Sequence, residues 1–552
     1  MNLIKDFLKN KSFSFWILFS FIITFFISFP ILSLIINVFL NFNSEWNLVL
    51  HLEIWDYLFN SLSIIFFQSI LVIFFGVSTA WFVTIYDFPY KNIINLLLLL
   101  PLSIPPYIAA IAYGEIFDYS IYSRFSLLKD LFSLDNVDLP NIRSLPGVIF
   151  IFSITLYPYV YIISRAAFSE ISNSYNEVGK TLGKSSFNIF FKIFLPLTSF
   201  PIVGGVILSI LESLNDFGTV QYYGVDTFTT GIYKTWVGLG DINLASQISI
   251  FFLFFIFLII FLHKKIFSKE KININTSKSQ NNVALPCSKL KKILLISFCF
   301  IPIILGFVIP LSFLLINSFQ ALEIFLWKKT ISNTLNTIFL ALLVSFIILI
   351  LSLIISYSSR IHNTNLNSFF KRISMLGYAI PGSIIGIGIL IPFTFIDGLI
   401  INFFNSNFDI NLNNLFTGSI MVLCFAYIVR FFAISQTTIE SGLYRISRNV
   451  DDAAKILGKK PFFTLFKIHI PIMSTTVILS LILIFIEIIK ELSATLILRP
   501  FNFDTLAIQV YEFASEEKII ESSIPSLIIV VLCVIGIIFI SKLNDQIFRS
   551  EK

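Results

Sequence analysis

Runs of about twenty consecutive apolar residues recur along the whole chain, and a run of that length is what a helix needs to cross a bilayer. Segments inside hydrocarbon must satisfy their own backbone hydrogen bonds, so only helical bundles and closed barrels qualify. The runs are continuous rather than alternating, which selects helices. With 56% hydrophobic and 13% charged residues in 552, there is more apolar surface than a soluble core could bury. The formal charge of +6 is no nucleic-acid footprint, because the basic residues fall between the runs.

Twelve spans are expected, near residues 14–40, 58–84, 93–117, 146–167, 197–222 and 246–263, then 293–317, 332–357, 373–398, 415–437, 472–496 and 523–541. The first follows Lys5, Lys9 and Lys11 but is too long for a signal-peptide core and lacks a small-residue cleavage site, so it reads as an anchored span. The Asn/Ser/Lys-rich stretch 264–291 reads as a linker between a first unit, 1–263, and a second, 292–552. Basic residues concentrate at the N-terminus, in the linker, around Arg360, Lys371 and Arg372, and in the tail with Lys542 and Arg549. With six spans per unit all of these share one side, so both termini are expected to be cytoplasmic. An even count gives both units the same orientation. The fold class expected is an all-α membrane protein of two parallel six-helix repeats. Cys287, Cys299, Cys424 and Cys533 are scattered, as are the four histidines, so neither a disulfide framework nor a fixed metal site is expected.

One polar segment is duplicated. Glu177–Pro196 reads EVGKTLGKSSFNIFFKIFLP and Asp452–Pro471 reads DAAKILGKKPFFTLFKIHIP, with a constant offset of 275, about half the chain. Each copy predicts a short helix stopped by Gly183 or Gly458, then an amphipathic helix leading through Pro196 or Pro471 into the next span. Two such exposed segments on a two-fold suit a two-fold partner; equally, they could lie on lipid headgroups through their lysines. Gly179 to Ser185 has the look of a phosphate loop, but three residues separate its glycines where the motif needs four. No ATP or other cofactor is therefore expected on this chain.

The spacing E-A-A-x-x-x-G-x9-I-x-L-P resembles the cytoplasmic signature of permease subunits of binding-protein-dependent ABC importers. The first copy keeps Glu177, Gly183, Ile193, Leu195 and Pro196, with Val178 and Gly179 for the two alanines; the second keeps Ala453, Ala454, Gly458, Ile468 and Pro471, with Asp452 for Glu and Ile470 for Leu. The resemblance implies a bacterial inner-membrane type I permease with coupling segments at 168–196 and 438–471. It implies that these dock into a homodimeric ABC ATPase that supplies the ATP hydrolysis, and that a periplasmic or lipid-anchored binding protein delivers the solute. The chain itself is then a transporter subunit and not an enzyme.

The span after each copy carries acids at matching positions: Glu212 and Asp216, then Glu487 and Glu491, again 275 apart. Spaced i, i+4, each pair is expected on one helix face. A charge deep in a bilayer costs about 2.5–3.5 kcal/mol even on the gentler scale, so symmetric acids point to a polar axis between the halves. The alternatives are wet acids near the outer end of the span, or neutralisation by Lys490. The residues after them, Asp216–Val220 with Gly224–Tyr233, and Lys490–Leu496 with Leu498–Ala507, resemble fused ferric-iron importer permeases, with Ser493 where that family has Pro. That resemblance implies ferric iron as cargo; fused thiamine permeases share the architecture. Carboxylate oxygens suit a hard cation, whereas thiamine would want stacking aromatics, which this chain also has. Loops 223–245 and 497–522 are expected to face the binding protein. A proton-driven secondary transporter is a further alternative, but the loop Ile85–Asn92 lacks that class's basic motif.

Overall fold

The computed structural model describes residues 15–41, 54–117, 141–171, 181, 183–267, 287–322, 327–362, 364–410 and 412–550. Among them all regular structure is helical. Ten helices are long and apolar enough to cross a membrane, and two bent pairs bring the number to as many as twelve. Their outward faces carry large exposed side chains such as Phe66, Phe254, Phe346 and Phe539, as lipid contact requires.

The duplication seen in the sequence is a duplication of structure. Leu145–Glu170 and Ile420–Arg445 are both 26-residue helices, offset by 275 at each end. The helices Leu195–Asn215 and Ser474–Lys490 stop at equivalent residues. Just before them, Phe190–Phe194 and Leu465–His469 each form a π turn. Of the two further π turns among the described residues, Lys234–Gly238 has no proline after it, whereas Ile304–Val308 shares their setting: in these three one residue separates the turn from a proline, Pro196, Pro471 or Pro310. Proline has no N–H to offer the α ladder, and the wider turn takes up the resulting shift.

Several boundaries differ from expectation. The span expected at 373–398 begins instead with an amphipathic helix, Asn365–Ser374, and a 3-10 turn, Met375–Ala379; the long helix is Gly382–Phe408. Pro381 forces extended backbone between them. The equivalent break in the first half, at Pro105, bends Lys91–Ser103 against Pro106–Ile116 by 87°. The spans expected to run to 222 and 496 end at Asn215 and Lys490 and continue as short separate helices.

The halves are interlocked. Phe15–Leu40, the first span, packs against Trp327–Ile361, Asn365–Ser374 and Gly382–Phe408 of the second half. Ser33 Oγ donates to the Gly388 carbonyl, and a Cβ on Gly388 would strike the backbone of Pro30. The opening span of the second half reaches back in turn: Tyr113 Oη donates to the Leu305 carbonyl at 2.7 Å.

Candidate functional site

The four acids of the duplicated spans come together where those spans break. Asp216 and Glu491 do not share a helix face with Glu212 and Glu487 as the i, i+4 spacing suggested. Each sits just past the helix end in extended backbone (φ −73°, ψ 126° and φ −70°, ψ 120°). The cause is capping. Asp216 Oδ1 accepts from the N–H of Thr219 at 2.7 Å, and Glu491 Oε1 from the N–H of Ala494 at 2.9 Å. Each carboxylate thus opens a new short helix, Gly218–Tyr222 or Ser493–Leu498, instead of continuing the old one. The two breaks touch: Ser493 Oγ donates to the Asn215 carbonyl at 3.0 Å, and a Cβ on Gly218 would come 2.8 Å from Leu492 Cδ2. A proline at 493 would have no hydroxyl for that link.

Between the breaks lies a cavity of about 70 Å3, lined by all four acids together with Arg430, Lys490, Asn215, Tyr107 and Tyr159. Lys490 Nζ lies 3.0 Å from Glu487 Oε1, the neutralisation foreseen as an alternative. Arg430 Nη1 lies 2.6 Å from Glu491 Oε1, and only 8% and 4% of these side chains are exposed. Gly382 makes that pair possible, because a Cβ there would collide with Arg430 Nη1 and sit 2.8 Å from Glu491 Oε1. Tyr378 Oη donates to Glu212 Oε1 at 2.5 Å. Four carboxylates against two bases leave the lining with a formal excess of two negative charges. Among the described residues no three His, Cys, Asp or Glu side chains are placed to hold a metal ion together. Tyr107 and Gly218 also line a second cavity of about 680 Å3, bordered by Glu115, Arg143 and Glu517.

At the opposite end of these helices is the second copy of the duplicated segment. Arg448–Ile456 is a helix with Ser447 as its N-cap. Gly458, at φ +68°, ends it: the N–H of Lys459 reaches the Ala454 carbonyl and that of Gly458 the Lys455 carbonyl, both at 2.9 Å. Gly183 has the same left-handed backbone at φ +71°. A Cβ at either glycine would meet nothing within 4 Å. Ala454 is buried, whereas Asp452 and Ala453 are exposed, as are Ile456 (85%) and Leu457 (73%). Ile193, Leu195 and Ile468 are half-buried, and Pro196 and Pro471 exposed. Glu177 lies outside the described residues.

The two copies are anchored differently. In the second, Arg360 binds Asp451 Oδ2 through Nε at 2.8 Å and Nη2 at 2.6 Å, and donates to the carbonyls of Leu443, Ile446 and Ser447. His469, buried in the π turn, places Nε2 3.2 Å from Asp451 Oδ1. In the first, Trp81 packs against Phe168, Phe190 and Phe194, with ring centroids 4.6–5.6 Å apart.

Sequence reasoning missed Arg430, Gly382, Tyr378, Arg360 and Asp451. The offset of 275 was the available signal for one of them: Arg430 stands opposite Thr155, a departure from symmetry that comparing the two halves exposes.

Residues 72–270 and 354–550 each match the family described as "Binding-protein-dependent transport system inner membrane component". The chain is 23% identical over 404 residues to the Fe(3+)-transport system permease protein FbpB 2 of Haemophilus influenzae, covering 72% of this chain and 76% of that one. It is 28% identical over 149 residues to the sulfate transport system permease protein CysT of Salmonella typhimurium, 27% of this chain and 51% of that one. It is 23% identical over 184 residues to the molybdate/tungstate transport system permease protein WtpB of Methanocaldococcus jannaschii, 33% of this chain and 69% of that one.

Proposed function

The chain belongs to the inner membrane components of binding-protein-dependent transport systems and is a non-catalytic, multi-pass ABC importer permease subunit; from that premise we propose that the solute it moves is ferric iron. The observation that carries this is the charge of the cavity. An oxyanion, the cargo named for the sulfate and molybdate relatives, would meet a lining in which carboxyl groups outnumber bases by two. A hard cation would meet carboxylate and phenol oxygens. The relative named for Fe(3+) transport aligns over most of both chains, which favours the same reading.

The partners follow. A homodimeric ATPase docks on the coupling segments 168–196 and 438–471, where Tyr444, Ile456, Leu457 and Phe462 offer exposed apolar surface. That ATPase binds the nucleotide, and this chain binds none. A binding protein docks on the opposite side against loops 223–245 and 497–522, where Phe501 is 99% exposed. Units 1–263 and 292–552, joined by 264–291, keep both termini cytoplasmic, and the conducting path runs past Glu212, Asp216, Glu487 and Glu491.

The test is uptake of labelled ferric iron by cells lacking their own iron permease, expressing this chain with its cognate ATPase and binding protein. Labelled thiamine and sulfate run in parallel. ATP-dependent iron uptake is the expected result. Uptake of thiamine or sulfate without iron would overturn the cargo, and uptake abolished by an uncoupler but not by ATP depletion would overturn the importer mechanism.

A further inference from the structure

The cavity between the breaks is not symmetric. Its second-half wall is already neutralised, with Lys490 on Glu487 and Arg430 on Glu491. At the positions equivalent to Lys490 and Arg430, the first half has the uncharged Asn215 and Thr155, and Tyr107 follows Pro106, the counterpart of Gly382. Asn215 and Tyr107 are each 3% exposed. Asn215 Oδ1 and Tyr107 Oη line the cavity and make no hydrogen bond among the described residues. Buried polar atoms in native proteins are overwhelmingly partnered, so two orphaned oxygens on one wall of one cavity ask for a ligand. Beside them stand Glu212 and Asp216, whose described partners are neutral: the Tyr378 hydroxyl and the Thr219 N–H.

We propose that the permeating cation rests on the first-half wall, held by Glu212, Asp216, Asn215 Oδ1 and Tyr107 Oη, and that Glu487 and Glu491 anchor Lys490 and Arg430 instead of binding the ion. All four groups on that wall present oxygen, the donor a hard, highly charged cation prefers. The fixed ammonium and guanidinium opposite repel the ion. That repulsion keeps the site shallow, and a conducting site must be weak enough to release what it binds. This assignment rests on the reading of the cargo as a hard cation.

The experiment is a terbium(III) titration of the full chain in lipid nanodiscs, followed by tyrosine-sensitised luminescence. Glu212→Gln and Asp216→Asn keep the acceptor oxygens for Tyr378 and Thr219, so they test charge with little change in packing. Each is expected to weaken binding by about tenfold or more, the scale on which metal-site substitutions act. Tyr107→Phe removes an oxygen that bonds to nothing described and should leave folding intact; it is expected to weaken binding by about threefold, under 1 kcal/mol. The charge-balanced doubles Glu487→Gln/Lys490→Gln and Glu491→Gln/Arg430→Gln are expected to cost clearly less than Glu212→Gln. Losses as large in the doubles, or an unchanged Tyr107→Phe, would overturn the assignment. A wild-type chain that binds no terbium would overturn it too, while iron uptake in cells, measured separately, would leave the function itself standing.

Discussion

Arg360 holds Asp451 through two nitrogens at 2.8 and 2.6 Å, and the same guanidinium donates to the carbonyls that end the helix Ile420–Arg445. One side chain therefore joins the span Trp327–Ile361, the end of its neighbour and the first turn of the segment proposed to meet the ATPase. The pair is largely buried, at 10% and 16% exposure. Removing one partner of a buried pair costs about 3–5 kcal/mol. Arg360→Gln should keep membrane insertion, loosen the Arg448–Ile456 helix and lower uptake at least tenfold per ATP hydrolysed. Uptake and hydrolysis measured together in proteoliposomes check this; an unchanged ratio would deny Arg360 a coupling role.

Gly458 separates a backbone requirement from a contact requirement. Its left-handed φ of +68° costs an ordinary residue about 1–2 kcal/mol, while Asn tolerates it. A Cβ there meets only open space, so nothing inside the chain resists a side chain. Gly458→Asn should preserve uptake and Gly458→Val should abolish it. If both abolish it, the partner's surface demands the bare glycine; if neither does, the segment is not a coupling element.

Ile456 and Leu457 are too exposed to matter for folding. Changing both to Ser should leave the thermal unfolding midpoint within about 1 °C, as expected of surface substitutions within ±0.5 kcal/mol. Co-purification of the ATPase should be lost. Retained co-purification would move the docking surface elsewhere.

The Arg430–Glu491 pair predicts a non-additive stability pattern. Glu491→Leu alone strands a buried guanidinium and should destabilise by about 3–5 kcal/mol, whereas Glu491→Leu/Arg430→Met should recover most of the loss. Gly382→Ala should mimic the single change, because its Cβ displaces the pair. Thermal unfolding in detergent reads all three, and simple additivity would mean that the pair contributes nothing.

Much of this was legible from periodicity and repetition. Long apolar runs place helices well because the bilayer leaves so few alternatives, and the offset of 275 carried over to the helix ends at Asn215 and Lys490 and to the paired π turns. The breaks were not legible. In an apolar run, Asp216 and Glu491 look like helix positions, yet a carboxylate three residues before Thr219 or Ala494 can as well begin a helix as continue one. Arg430, Gly382 and Tyr378 were hidden for a different reason. They lie on three separate elements, and only tertiary packing brings them to the acids.

Covalent fusion of the halves has a consequence for charge. A homodimer built from second halves would carry each base twice, setting four cations against four carboxylates and cancelling the field at its centre. Because both halves belong to one polypeptide, Lys490 and Arg430 occur once each, and the centre keeps its surplus of negative charge. One polypeptide thus permits two walls of different charge, which strict two-fold symmetry forbids: under the assignment proposed above, one wall receives the ion and the other is free to push it away.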